Sequence, residues 1–534
     1  MTDTDGERPP RAGLILGVLI LGAVVANINL GIANVALPSI GAALHTTQAQ
    51  LNLVALGFTL GLATSVLYLG ALADRYGRKW AMVAGSALSV PAACLAAWAP
   101  SPQVLVAARI LGGVAAGMLY PTTLSLISAL FSGGSRTRSI ALWSGIGGGV
   151  SAIGPLIGGL LLGRAWWGSV FLVTIPLAVI VVVAGLLWIP RHAGENDGKV
   201  DNPGGILSIL FVGPLVLAIG LLPDDGFDTE VIALFVLSAV ALLLFVVREH
   251  RVAAPLFDLA ILKIRTFSVA LFGGTIVWGG LLAALFIGQQ YTQNVLGYSP
   301  LQGAAITLPA AVTLMLAAGP SSRLIARTGA RLPFALGLGV TALAFAAMAL
   351  LFGTHTPAVV VGVVYATLGI GIGLAGPPSS NALMGSVPVS RAGMGSASND
   401  LQRDFGGAVF QAVMGTLLAV RYTHYFTKAF AGDPTQADQL SKQAASTISQ
   451  SFTGAEQVAK QFPQASSQQL VAAAKEAFVS GKTAALVFAT VTAAVGFVVV
   501  LVFFPKHDEE LRTYREIAAG SSGPGARATP AKVR

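Results

Sequence analysis

The sequence predicts an all-α integral membrane protein whose chain crosses the bilayer fourteen times. Composition is the first reason: 54% of the 534 residues are hydrophobic and only 10% are charged, where a soluble globular protein carries about 25% charged residues. Length is the second, because the apolar residues come in runs of the roughly twenty needed to cross a hydrocarbon core about 30 Å thick. The third is that Lys and Arg fall in alternate loops, as they do in chains oriented by the positive-inside rule. On that reading the net charge of +9 belongs to membrane orientation and implies no nucleic-acid partner. Cys94 is the only cysteine, so the chain can form no internal disulfide or thiolate metal cluster, and this residue reads as a small apolar filler.

Taken in order, Arg8 and Arg11 precede an apolar run over 12–37. That run exceeds a signal-peptide core of about 7–15 residues and is read as the first retained helix. Apolar runs punctuated by Gly, Pro and charge then place helices near 50–73, 80–98, 103–130, 139–163, 165–189, 204–222, 229–247, 266–292, 302–322, 332–352, 357–384, 394–420 and 483–504. The even-numbered connections hold Arg75, Arg78, Lys79, Arg136, Arg138, Arg191, Lys199, Arg248, Arg251, Lys263, Arg265, Arg323, Arg327, Arg331 and Arg391, and the short odd-numbered ones hold only Arg164. Both termini are therefore expected in the cytoplasm. The 421–482 connection, rich in Gln, Ala and Ser, is expected outside as a solvated connector with helical stretches near 456–461 and 468–478; the tail after Pro505 is expected to be disordered.

Between the second and third helices stands Gly70-Ala-Leu-Ala-Asp74-Arg75-Tyr-Gly77-Arg78-Lys79. Gly77 permits a tight reversal, and Asp74 ends a helix where it can pair with Arg75 or Arg78. A weaker copy follows the tenth helix, where Arg327-Thr-Gly329-Ala-Arg331 aligns with Arg75-Tyr-Gly77-Arg78-Lys79 and Ala326 replaces the acid. Two related halves with a substrate site between them is the plan this repetition suggests. The fifth helix carries Gly154-Pro155-Leu-Ile-Gly158-Gly159, in which small residues allow close helix approach and the proline bends the helix.

The first loop, in this place and at this spacing, resembles the signature of the major facilitator superfamily. The Gly-Pro-x-x-Gly-Gly of helix five resembles the motif of its antiporter branch. Together with the Trp166-Trp167 to Pro176 junction, these point to the fourteen-helix drug:proton antiporter family. The resemblance covers almost the whole chain. It implies a major facilitator fold: a cytoplasmic N-terminus 1–11, a six-helix half 12–190, two inserted helices within 191–265, a second six-helix half 266–505 that contains the 421–482 loop, and a cytoplasmic tail 506–534. It also implies that Gly70, Asp74, Arg75, Gly77 and Arg78 latch the halves, and that Gly154, Pro155, Gly158 and Gly159 shape a pivot. The function implied is multidrug export by a monomer in a bacterial cytoplasmic membrane, with the bilayer, a small-molecule substrate and protons as its partners. The energy source would be a proton gradient, with no cofactor or metal; no enzymatic constellation or phosphate-binding loop stands in the sequence.

Charged residues inside apolar runs are costly and mark candidate pathways. Arg109 faces either the bundle interior or, by snorkelling, the outer surface; the resemblance implies a role in proton transfer or substrate coupling. Asp400 and Asp404 share a helical face beside Arg403, as either a proton-carrying group or a structural ion pair. The family usually carries an acid in helix one, and here that position is Asn29; likewise Thr174 stands where Asn is usual. Proton coupling, if present, is thus expected at Asp400 or Asp404 with Arg109 assisting. Polar and aromatic residues within apolar runs supply candidate substrate contacts: Asn29, Asn34, Phe58, Tyr120, Trp143, Trp278, Gln289, Gln290, Tyr365 and Asn381. They suit a lipophilic or amphipathic cargo, though interfacial aromatics also anchor helices in the bilayer.

Overall fold

The computed structural model describes residues 11–131, 135, 139, 142–143, 154–190, 200–252, 255–387, 392–431, 452–461 and 463–520. Among these, thirteen helices are long and apolar enough to cross a membrane. The expected helix over 139–163 lies largely outside the described residues, and its part at 154–162 is helical.

The first half contains α1 (Ala12–Leu44), α2 (Gln48–Tyr76), α3 (Arg78–Ala97), α4 (Pro102–Leu130), α5 (154–162), the short α6 (Ser169–Leu172) and α7 (Thr174–Trp188). The inserted pair is α8 (Asn202–Asp225) and α9 (Thr229–Glu249). The second half contains α10 (Arg265–Gln290), α11 (Pro300–Ala305), α12 (Leu308–Thr328), α13 (Arg331–Leu351), α14 (Ala358–Gly385), α15 (Ala392–Ala431), α16 (Phe452–Ala459) and α17 (Gln464–Phe503), followed by α18 (His507–Gly520). Local signals set several starts. Thr47 and Gln50 form a capping box on α2, Ser101 caps α4 ahead of Pro102, and Asp201 and Asp228 cap α8 and α9.

The copied loop has a structural counterpart. Gly77 and Gly329 both take positive φ, 115° and 79°, a conformation that favours glycine at a helix end. After each turn a basic side chain reaches the end of its half's last helix. Lys79 donates to the carbonyls of Leu186 and Ile189 at 2.9 and 2.6 Å, and Arg331 donates to that of Leu501 at 3.0 Å. Cations at helix C-termini satisfy orphan carbonyls and oppose the helix dipole.

The inserted α8 lies across the seam where α2 of one half meets α15 of the other. Val212 and Val216 pack there with Leu56, Leu60, Ala408 and Ala412, and Thr416 of α15 donates to the Ile219 carbonyl at 2.6 Å.

Two expectations need correction. The 421–482 connection has the expected helical stretches, but its described parts pack as continuations of the spans rather than as a solvated connector: α15 and α17 are each 40 residues long, about 60 Å at 1.5 Å per residue, twice the hydrocarbon thickness. Their projecting turns and α16 bury Tyr422, Phe426, Phe452 and Phe478, and the Tyr425 hydroxyl donates to Glu476 at 3.0 Å. Burial of these aromatics stabilises helices that a polar average hides. The tail is also helical over 507–520, helped by Asp508, Glu509 and Glu510 in its first turn. Glu510 accepts the Ala330 N–H at 3.0 Å and the Tyr514 hydroxyl at 2.9 Å. An acid from α18 thereby caps the start of α13, beside the loop in which Ala326 replaced the acid.

Candidate functional site

The Arg- and Lys-rich loops gather at one end of the bundle, its basic end. Three polar clusters stand out, one inside the first half and two on the seam.

The first is built on α4. Gly61 and Gly113 let α2 and α4 touch through their backbones: a Cβ on Gly113 would collide with the Phe58 carbonyl oxygen. This approach brings Arg109 inside, 3% exposed, so it does not snorkel. Its Nε donates to the Val54 carbonyl at 3.3 Å, and both terminal nitrogens donate to the Asn29 carbonyl at 3.2 Å. The guanidinium also lies 4.9 Å from the ring centre of Phe58 and 5.7 Å from that of Phe171, within cation–π range. The side chain of Asn29 turns away from it, donating to Val25 O at 3.1 Å and Thr174 Oγ1 at 3.0 Å. The two departures from the family pattern are therefore hydrogen-bonded to each other. A cavity of about 20 Å³ is lined by Asn29, Phe58, Arg109, Phe171 and Thr174 among others.

The second cluster lies on the seam toward the basic end. Arg403 of α15 donates from a terminal nitrogen to the Tyr120 hydroxyl of α4 at 2.9 Å, and its guanidinium lies 4.5 Å from that ring's centre. Arg403 also pairs with Asp404, Nε to Oδ1 at 3.1 Å. Asp404 is fully buried with its other oxygen unpartnered, and Asp400 is 5% exposed. Tyr120 packs on Trp143 at 5.1 Å between ring centres, and Trp143 donates to Thr123 Oγ1 at 3.0 Å. The structure thus joins two of the aromatic candidates to the charged group on α15. Sequence reasoning missed the neighbouring network, in which Gln402 accepts from Ser379 at 3.0 Å and donates to Asn399 at 2.9 Å; a glutamine inside an apolar run was the available signal.

The third cluster closes the opposite end. Gln48 of α2 donates to Gln290 of α10 at 2.8 Å, and Gln293 donates to the Val35 carbonyl at 3.0 Å. Outside the spans, Gln457 of α16 donates to the Ala42 carbonyl at 3.0 Å and meets His45 Nδ1 at 2.7 Å. Midway along the seam, Thr59 donates to Gln411 at 3.2 Å.

The other candidates are dispersed. Gln289 donates to Gly303 O at 3.1 Å, away from Gln48. Tyr365 is buried within the second half near Tyr291, Phe352 and Lys482, its hydroxyl unpartnered. Trp278 packs against Gly376, Asn34 is buried in α1, and Asn381 is exposed on α14. Lys482, another residue missed from sequence because it opens an apolar run, is 1% exposed. It donates to the carbonyls of Met348, Ala349 and Phe352 at 3.1, 3.4 and 2.7 Å, at the end of α13.

In the first basic loop Arg78 donates to Ser125 O at 3.4 Å and Arg75 stacks on Tyr76. Gly70 faces Pro121 of α4, and the Asp74 side chain lies outside the described residues. In α5, where Pro155 follows Gly154, Gly154 and Gly158 face Ile28 and Ile32 of α1, while a Cβ on Gly159 would lie 2.6 Å from Leu301 Cα of α11. The small face of α5 thus touches both halves. Among the described residues no cluster of His, Cys, Asp and Glu has the arrangement of a metal site.

Comparison with known proteins agrees with this architecture. The description of the Major Facilitator Superfamily matches residues 19–411. The chain is 31% identical over 504 residues to the multidrug efflux pump LfrA of Mycolicibacterium smegmatis, covering 94% of this chain and 98% of that protein. It is 30% identical over 493 residues to the multidrug resistance protein Stp of Mycobacterium tuberculosis, covering 91% of each. Among solved structures, an inward-facing, unoccupied bacterial homolog of the human lysosomal transporter Spinster superposes with a TM-score of 0.64 at 16% identity, covering 96% of this chain and 99% of that one. The inward-open xylose transporter XylE from E. coli gives 0.57 at 12% identity, covering 94% and 99%. At such identities these structures carry the fold alone.

Proposed function

The chain belongs to the Major Facilitator Superfamily, and from that premise we propose that it is a secondary active exporter of lipophilic or amphipathic small molecules, multidrug in type, working by alternating access as a proton antiporter. It is a transporter and not an enzyme. The relatives named as multidrug efflux pumps and resistance proteins support export as the direction. The basic end then faces the cytoplasm of a bacterial cell, both termini lie inside, and the chain works as a monomer.

The observation that carries the coupling is the contact of Arg403 with both Asp404 and, across the seam, Tyr120. While Asp404 is ionised, it holds the guanidinium against Tyr120 and the cytoplasmic side stays shut. A proton arriving from outside neutralises the carboxylate and removes the charge that holds Arg403. The bond to Tyr120 then gives way to hydration as that side opens, and the proton leaves there. Asp400 lies one turn earlier on the same helix, within the same buried patch. The test is export by proteoliposomes with and without an imposed pH gradient, for wild type, Asp400→Asn and Asp404→Asn. Loss of gradient-driven export in either variant, with exchange down a substrate gradient retained, is the expected result. Undiminished gradient-driven export in both would overturn the coupling.

A second reading, export of an endogenous lipid or metabolite without proton coupling, is favoured by one observation: Asn29, bonded to Thr174, has no proton to exchange near neutral pH. Wild-type export indifferent to the pH gradient would decide for it.

A further inference from the structure

Arg109 is a buried cation whose contacts among the described residues are all with neutral groups. Its partners are the backbone oxygens of Val54 and Asn29 and the faces of Phe58 and Phe171. The acids of the ion pairs Arg248–Asp201 and Arg403–Asp404 are engaged with those arginines and not with Arg109. Three of the five guanidinium N–H groups are used in those backbone bonds, which leaves one on each terminal nitrogen. A charge within a bilayer-spanning bundle calls for a counter-charge, and the nearest polar side chain cannot provide one: Asn29 is an amide engaged with Thr174. The guanidinium, Asn29 and Thr174 all line the same cavity.

We propose that this cavity is an anion site, in which a small ion of the halide class binds Arg109 and supplies the negative charge that no carboxylate among the described residues provides. Size selects the occupant. At about 20 Å³ the cavity is near the volume that admits a single water, and far below the roughly 300–1,000 Å³ of a pocket for a drug-sized molecule. A monatomic anion fits such a space. The donors available to it are the two remaining guanidinium N–H groups and the Thr174 hydroxyl, which needs only to rotate away from Asn29. The site extends the transporter reading by adding a co-ion, but its binding test does not depend on that reading.

The experiment replaces chloride with gluconate at constant ionic strength and follows thermal unfolding of the full-length purified protein by tryptophan fluorescence. The melting midpoint of wild type should rise saturably with chloride. Asn29→Asp, whose carboxylate can swing from Thr174 toward the guanidinium across the shared cavity, and Arg109→Gln, which removes the cation, should both lose the dependence. In proteoliposomes, wild-type export should fall when gluconate replaces chloride, while Asn29→Asp should export equally in both salts. A wild-type midpoint indifferent to chloride overturns the proposal, as does a dependence that survives in Arg109→Gln. If Asn29→Asp does not fold, wild type and Arg109→Gln still decide the question. Stabilisation by acetate without stabilisation by chloride also overturns it and assigns the site to a carboxylate-bearing cargo. Chloride-dependent melting combined with failure to export any tested compound would leave the anion site standing and remove the efflux reading.

Discussion

Replacing Tyr120 by Phe isolates one bond across the seam. The ring remains, so the stacking of Arg403 at 4.5 Å and the packing on Trp143 at 5.1 Å are kept. What is lost is the 2.9 Å bond from the guanidinium to the hydroxyl. A hydrogen bond to a charged group contributes about 1.5–3 kcal/mol, and each 1.4 kcal/mol is about a tenfold change in an equilibrium. The ratio of molecules open to those closed at the basic end should therefore rise roughly ten- to 150-fold. Tyr120→Ala should shift it further, since the cation–π contact of about 0.5–2 kcal/mol also goes. The assay is pulsed electron paramagnetic resonance on spin labels at Ala129 of α4 and Met384 of α14, both exposed near the basic end, in a Cys94→Ala background. Tyr120→Phe should enlarge the long-distance population at the expense of the short one. An unchanged distance distribution would refute the reasoning, because it would mean that the bond contributes nothing to closure.

Two further outcomes concern stability. Lys482→Met keeps the volume but leaves the carbonyls of Met348, Ala349 and Phe352 without their donor; at about 1–3 kcal/mol per buried group left unsatisfied, partly offset by removing a buried charge, a net loss of about 2 kcal/mol should lower the melting midpoint in detergent. Lys482→Arg should recover most of it. Glu510→Ala removes the cap on α13, a loss of about 1 kcal/mol, and should speed hydrogen exchange at the Ala330 amide. Glu510→Gln, which retains an acceptor, should show a smaller effect.

The helices were readable because a span announces itself by hydropathy, and the two basic loops because the glycine and its neighbouring cations recur at the same spacing. Arg109 was narrowed to two placements by the cost of burying a charge, and the structure puts it inside. Pairings were another matter. Asn29 and Thr174 are 145 residues apart, and Tyr120 and Arg403 are 283 apart, so each was visible as a candidate while its partner was not. Gln289 and Gln290 were both candidates as polar residues in an apolar run, yet neighbours on a helix point about 100° apart; Gln290 meets Gln48 and Gln289 turns to Gly303. Helical stretches within 421–482 were legible near 456–461 and 468–478, but their continuity with the spans and their burial were hidden by a polar average, since the apolar residues that matter, Phe452 and Phe478, are few and widely spaced.

Different chemistry bridges the seam toward its two ends, and under the proposed antiport the difference gives the transport cycle a direction. Between the spans, the end away from the basic loops is held by carboxamides: Gln48 on Gln290, and Gln293 on a backbone carbonyl. Such bonds exchange for water at a net cost of about 0.5–1.5 kcal/mol each and do not change charge with pH. Outside the spans, Gln457 of α16 adds a further carboxamide contact, to the Ala42 carbonyl and to His45. The basic end is held by a buried guanidinium shared between Tyr120 and Asp404, where removing one partner leaves a charge exposed to a low dielectric and costs several kcal/mol. With its carboxylates ionised, the protein should open more readily at the carboxamide end. Only a proton at the α15 carboxylates weakens the other closure, so under the proposed antiport the arrival of a proton, rather than of cargo, is the event that turns the transporter inward.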